Sequence, residues 1–193
     1  MKLAIKKGNM KIGKDTLIFN MCSAHDCPSK KRGLCQLPDT KYCYAFGAEV
    51  RYKTVLEYRR RQEQAWDSLS ATDIADEIKG IIKRSRKTVT YCRWNESGDF
   101  RNVKDIIKLY SIAKQVPSLK FYGYTARKDL LNRKTVTSKL PSNVVINGSG
   151  FMWHNEFKAC DTITSKYSCK GDCRKCNLCK NNSGIVIEES IRR

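Results

Sequence analysis

Four thiols fall within eleven residues in Cys169-Lys-Gly-Asp-Cys173-Arg-Lys-Cys176-Asn-Leu-Cys179. Neither a strand nor a helix presents so many side chains to one point, but a knuckled loop does. Thiolates at such spacing converge on a soft metal centre, one zinc or an iron–sulfur cluster. Cys160 lies just upstream and is able to replace any one of the four. The other reading is a pair of disulfides, and the compartment decides between them. The start, Met-Lys-Leu-Ala-Ile-Lys-Lys-Gly-Asn-Met-Lys, has no apolar run of signal-peptide length. No stretch approaches the roughly 20 apolar residues of a membrane span. The expected setting is a reducing cytoplasm with no membrane partner, where clustered cysteine reads as metal binding.

A chain of 193 residues buries a real core, so its ten cysteines are not needed as staples. We expect one α/β domain over residues 1–156 and a Cys-rich metal- or cluster-binding tail over 157–193. The charge is lopsided, 38 Lys+Arg against 19 Asp+Glu for a net +19. Such a surface attracts a polyanion, with DNA or RNA the default partner. The segment 101–139 alone holds ten Lys/Arg against Asp105 and Asp129. Arg127 and Lys128 are the expected phosphate contacts.

Along the chain, Thr16-Leu-Ile-Phe-Asn-Met21 suits a buried strand. A first Cys cassette follows at Cys22, Cys27, Cys35 and Cys43; Pro28, Gly33 and Pro38 make it loop rather than helix. A long helix is expected from Cys43 to about Trp66, with Tyr52, Val55 and Leu56 inward and Arg59–Arg61 forming a basic end. Ser70-Ala-Thr-Asp73 reads as a capping box opening a helix with Ile74, Ile78, Ile81 and Ile82 on one face. Lys87–Cys92 alternates and is β-branched, hence a strand. Asn102 caps a helix ended by Pro117. Leu119–Tyr124 is a strand, a short helical piece lies near Leu130–Leu131, and Asn143–Ile146 is a third strand. This rhythm of β-α-β units predicts an open parallel sheet or an incomplete barrel. After Gly148-Ser-Gly150 the pattern stops.

Chemistry in such sheets collects at the carboxyl ends of the strands. The cassette, the Arg93-Trp-Asn-Glu-Ser-Gly-Asp99 segment, Gly123–Arg127 and Asn147–Gly150 all sit there. Glu96 and Asp99, flanking Gly98, suit an amino or hydroxyl group or acid–base work; turn chemistry is their other reading. Tyr124 is a candidate hydrogen-bond donor. His25 and His154 are possible metal ligands, and Cys92 a buried small apolar residue.

The cassette leading to Cys43-Tyr-Ala, the Ser97-Gly-Asp-Phe100 turn, Tyr124-Thr125 and the terminal Cys173-x-x-Cys176-x-x-Cys179 together resemble the phage and plasmid "gene product 88" proteins over roughly residues 9–180. More remotely the layout resembles a shortened radical S-adenosylmethionine (SAM) barrel. That resemblance implies a [4Fe–4S] cluster in the loop after the first strand, on Cys22 to Cys43. It places Glu96, Gly98 and Asp99 near SAM, with Glu96, Asp99 and Tyr124 as catalytic candidates. The usual spacing of three cysteines occurs instead at Cys169, Cys173 and Cys176, which with Cys179 resemble an auxiliary or structural cluster.

The leading expectation is therefore a phage-type iron–sulfur protein acting on or beside nucleic acid, a radical-SAM-like modifying enzyme in an infected cell's cytoplasm. The alternative is a non-enzymatic nucleic-acid-binding module with structural zinc or closed clusters. A third is an accessory protein whose charge is aimed at an acidic host protein.

Overall fold

A computed structural model describes residues 2–37 and 39–191; Pro38, used above as a loop signal, lies outside them. The chain builds one seven-stranded sheet in sequence order. Its strands are β1 (Lys6–Lys7), β2 (Thr16–Phe19), β3 (Tyr91–Trp94), β4 (Lys120–Thr125), β5 (Val144–Ser149), β6 (Asn155–Cys160) and β7 (Val186–Ser190). The short β1 pairs antiparallel with β2, and every later pair is parallel. The sheet does not close on itself. The architecture is thus an unclosed, mostly parallel α/β sheet, as both expected alternatives require. With no reversal of strand order, the carboxyl ends of β2 to β7 form one continuous edge.

Helices fill the connections: α1 (Pro28–Lys31), α2 (Tyr44–Arg51), α3 (Lys53–Ser68), α4 (Ala71–Lys83), α5 (Val103–Gln115), α6 (Lys128–Leu131) and α7 (Lys134–Thr137). The capping box at Ser70 and Asp73 forms as read, and the Asn102 side chain accepts from the Asp105 amide. Each cap satisfies a backbone N–H that the first turn leaves free, worth about 1 kcal/mol. Trp66, Ile74, Ile78, Ile106, Leu109 and Ile112 pack with Phe19, Trp94 and Phe121 in one core. Ile81 and Ile82 are only partly buried at its margin.

Four expectations are corrected. The cassette contains a one-turn helix, α1, because Pro28 stands at its first position, where a missing N–H costs nothing. The long helix is broken at Tyr52, whose extended backbone separates α2 from α3 and leaves the ring exposed. The strand expected at Lys87–Cys92 is shifted to Tyr91–Trp94, since the Thr90 and Tyr91 amides both reach the Asp15 carbonyl and pairing starts only where the chain meets Thr16. That shift puts Arg93 inside the strand. Cys92 and Trp94 then point into the helix-covered core, and Tyr91 and Arg93 point to the opposite face. Cys92 is the buried small residue expected.

The fourth correction concerns the tail. The strand pattern does not stop at Gly150: β6 runs across residue 156, and β7 pairs with it in parallel. The link from β5 to β6 is very tight. Gly150 has φ +80°, and a Cβ at Gly148 would lie 2.1 Å from the Phe151 carbonyl oxygen. Between β6 and β7 the Cys-rich segment folds back over the second face of the sheet. The Asn147 side chain donates to the Cys179 carbonyl, and the Lys180 ammonium sits 4.1 Å from the centre of the Tyr91 ring. The tail is therefore a cover for the sheet.

Glu188 fastens part of that cover. It is buried on β7 and accepts from the Ser165 amide at 2.7 Å and the Thr164 amide at 2.5 Å. Those backbone donors hold its carboxyl down to about 2. Its contribution is thus complete above the ordinary glutamate value of about 4.3 and is lost as pH falls through about 2. Glu188→Gln should open the 161–167 loop to proteolysis at neutral pH, whereas the native loop should open only in strong acid. Equal cleavage of both proteins at neutral pH would contradict this.

Candidate functional site

A cavity of about 520 Å³ opens at the carboxyl edge of the parallel strands. Residues following β2, β3 and β4, together with β5, β6 and β7, contribute to its walls. The Cys cassette forms its outer side, so the cassette and the Glu96–Asp99 turn face one space.

Two buried carboxylates and a half-buried glutamine fix the cassette there. Glu49 on α2 accepts from the Ala24 and His25 amides, each at 2.8 Å, from Arg59 Nη1 at 2.7 Å and from Ser97 Oγ at 3.1 Å. Asp99 accepts from Ser29 Oγ and Thr125 Oγ1, each at 2.5 Å, and from the Ala126 and Phe100 amides. Gln36 donates to Ser149 Oγ and the Phe157 carbonyl while accepting from the Ala159 amide. Between them they tie the loop after β2 to α2, α3 and the ends of β3 to β6.

Gly98 is required by geometry. Its φ is +72°, and a Cβ there would lie 2.2 Å from Cys22 Sγ. Asn95, at φ 52°, turns the chain out of β3, and its side chain accepts from the Met21 amide. Asparagine is among the few residues that visit this region readily.

The sequence-selected residues separate into groups. Glu96 is half-buried, lines the cavity and has a free carboxylate among the described residues; its carbonyl accepts from the Tyr44 hydroxyl at 2.5 Å. Asp99 is buried and engaged by four donors, so the catalytic role expected for it is corrected to that of a clasp. Burial raises its carboxyl above the usual range, against the pull of those hydrogen bonds. Tyr124 is at once a wall of the main cavity and of a small second one behind it. Burial raises its hydroxyl well above the ordinary tyrosine value.

Arg127 does not act as a phosphate contact. Its guanidinium is 2% exposed, held by both Asp129 oxygens and by the Phe100 and Arg101 carbonyls. Lys128 is exposed, as are Arg133, Lys134 and Lys139 nearby. Arg59, expected at a basic surface, is buried against Glu49. His25 stacks on Phe46, and His154 Nδ1 accepts from the Ile146 amide.

The thiols gather around the two cavities, and Cys169 and Cys173 stand between them. Of the cassette, Cys27, Cys35 and Cys43 line the main cavity and Cys22 does not; Cys169 and Cys173 of the tail border that cavity as well. Cys22 is fully buried, donates to the Asp99 carbonyl at 3.3 Å, and has its thiol pushed strongly up by burial. Burial also raises Cys27, to about 11. Cys169, Cys173, Cys176 and Cys179 all line the second, small cavity. Cys160 lies apart on β6, its thiol 3.8 Å from the Glu189 carbonyl. Among the described residues, no three or more His, Cys, Asp or Glu side chains are grouped as a single metal ion requires.

Sequence reasoning missed Glu49, Gln36, Arg93 and Tyr44. Glu49 and Arg59 stand ten apart, a spacing that pairs on no continuous helix, and only the break at Tyr52 brings them together. Arg93 had a signal, its alternation with the apolar Cys92 and Trp94.

A family model described as Gene product 88 matches residues 2–170. No curated protein and no solved structure matches the chain. Among the described residues no helix is long and apolar enough to cross a membrane.

Proposed function

We infer that this chain, which belongs to the phage gene product 88 family, is an iron–sulfur protein acting on or beside nucleic acid, with radical-SAM-like chemistry in its main cavity. One observation carries the reading: of the four cassette thiols, Cys27, Cys35 and Cys43 line that cavity, with Cys169 and Cys173 of the tail at its border, while Cys22 is turned away from it. Three thiolates leave a four-iron cluster with one uncommitted iron, where four would close it.

The donor set fits such a group. Cysteine sulfur is the usual ligand of iron–sulfur clusters. Thiols that border a cavity instead of meeting at a point suit a cluster, in which each thiolate binds a different iron. When bound, the cluster would supply one electron to a ligand such as SAM at its open iron. The chain's own residues do the rest. Glu96 offers a carboxylate to an ammonium or hydroxyl group of that ligand. Asp99 and Glu49 hold the cassette in place. Tyr44 and Tyr124 flank the space with hydroxyl-bearing rings. The net charge of +19 suits a polyanionic substrate, with Lys128, Arg133, Lys134 and Lys139 as exposed contacts. The quartet Cys169, Cys173, Cys176 and Cys179 would hold a second, closed centre against the sheet.

The quartet alone favours the non-enzymatic alternative, because four thiols leave no free position. Protein purified without air distinguishes the readings. Two clusters' worth of iron and acid-labile sulfide per chain, with a broad visible absorption band, is the expected result. Zinc in place of iron, or a single cluster insensitive to loss of the cassette thiols, would overturn it.

A further inference from the structure

Arg93 is a cation without an ion-pair partner on the wall of the main cavity, with the Glu96 carboxylate in its vicinity but not bonded to it. It lies near the end of β3, on the face away from the hydrophobic core, and contributes to the cavity lining. Among the described residues its guanidinium makes no hydrogen bond and no ion pair, and its Nε is buried with no acceptor. Three other arginines near this edge are engaged. Arg59 binds Glu49, Arg101 binds Asp67 and Asp105, and Arg127 binds Asp129. What Arg93 has instead is a ring: its guanidinium carbon stands 5.1 Å from the centre of the Tyr124 ring. That ring is itself braced edge-on by Phe157, at 5.0 Å between centroids.

A buried N–H without a partner is costly, and a desolvated charge more so. Stacking on an aromatic face stabilises a guanidinium by about 0.5–2 kcal/mol, which orients the planar fork without using its N–H groups. The fork is thereby left free, and its geometry matches the two oxygens of a carboxylate or phosphate. The cavity's remaining charged walls sharpen the choice. Glu96 and Asp99 lie on the same turn, Asp39 and Glu189 add two more carboxylates, and Lys11 and Lys30 line the space as well. An anionic group entering here is repelled by Glu96 unless it goes to Arg93.

We propose that Arg93 is an oxyanion anchor, taking the carboxylate or phosphate of a small molecule bound in the main cavity, with Tyr124 as the platform that holds its fork in place. The proposal rests on the cavity being the working site, as inferred above, and not on a metal there. Arg93 and Tyr124 thereby become binding residues of one site, and Glu96 is left free for a neutral or cationic part of the same ligand.

The test is made on full-length protein labelled with ¹⁵N, its Arg93 Nε–H resonance assigned through the backbone. Sodium phosphate and sodium acetate are titrated separately, with sodium chloride holding ionic strength constant so that general attraction to the basic surface is screened equally. Saturable movement of the Arg93 resonance is expected. Movement with phosphate alone identifies a phosphate-bearing ligand, with acetate alone a carboxylate, and with both a site for either. An Arg93 resonance that neither anion moves, or that moves only in proportion to concentration without saturating, overturns the proposal. Tyr124→Leu should weaken the saturable response several-fold with Arg93 still present. An unchanged response there would remove Tyr124 from the site. Iron content is measured on the same sample. Anion binding in protein that takes up no iron would defeat the cluster reading alone, and iron without anion binding would defeat the Arg93 proposal alone.

Discussion

Glu49→Ala is expected to destabilise the fold by about 3–5 kcal/mol, the range for breaking a buried, hydrogen-bonded charge pair from one side. For a chain of this size that is a fall in melting temperature on the order of 10 °C. The reason is the number of groups that depend on one carboxylate. Its side chain is wholly buried, and Arg59, its partner at 2.7 Å, is 9% exposed. Without it the amides of Ala24 and His25 lose their acceptor at the point where the chain leaves β2 for the cassette. Ser97 Oγ loses one on the Glu96–Asp99 turn. Glu49→Gln keeps one acceptor oxygen and should fall between the two. Asp76→Ala, which breaks the exposed pair with Lys79, should change stability by no more than about 0.5 kcal/mol. Urea unfolding of the four proteins checks this, and a loss under about 1 kcal/mol for Glu49→Ala would show that the clasp is dispensable.

The fold was legible wherever local pattern and tertiary structure agree. The capping box at Ser70, the Asn102 cap and the isoleucines of α4 follow from spacing along a single helix, and all three form. The strand-helix rhythm up to Ile146 likewise contains its own answer, since a parallel sheet needs crossovers between strands. What escaped was set by partners distant in sequence. The start of β3 at Tyr91 is fixed by Asp15 and Thr16, not by the β-branched run before it. The last two strands were hidden because β6 follows β5 after only the short link 150–154, with no helix between them, and β7 lies beyond the cysteines. Composition made that region look too polar for a sheet, yet Ile187 is buried and Asn155 bonds to Asn147 within it.

The site was legible in outline for a topological reason. Segments that follow parallel strands leave the sheet at one edge, so the cassette, Glu96 and Tyr124 were bound to face each other. Individual roles were less legible. Ser-Gly-Asp reads alike for a ligand-binding turn and a clasp; only the four donors around Asp99 distinguish them. Cys22 reads as one of four equal thiols, and what sets it apart lies far along the chain: Gly98 packs against its sulfur, and its thiol donates to the carbonyl of Asp99, 77 residues on. Arg127 stood in a basic run and proved to be bonded inward.

The division of the thiols is the claim on which the functional account turns. If the cavity cluster is held by three cysteines, Cys27→Ser, Cys35→Ser and Cys43→Ser should each remove it and leave the centre on Cys169, Cys173, Cys176 and Cys179 intact, halving the iron per chain. Cys22→Ser should keep the full iron content, because its sulfur already serves as a donor to the Asp99 carbonyl and serine preserves that bond. The decisive measurement is the electron-spin spectrum of the reduced, anaerobically prepared Cys22→Ser protein with and without SAM. A cavity cluster that is present and whose signal changes on adding SAM is the predicted result. Loss of that cluster in Cys22→Ser, or a signal indifferent to SAM, would mean that all four cassette thiols close the cluster and that the cavity has no open iron.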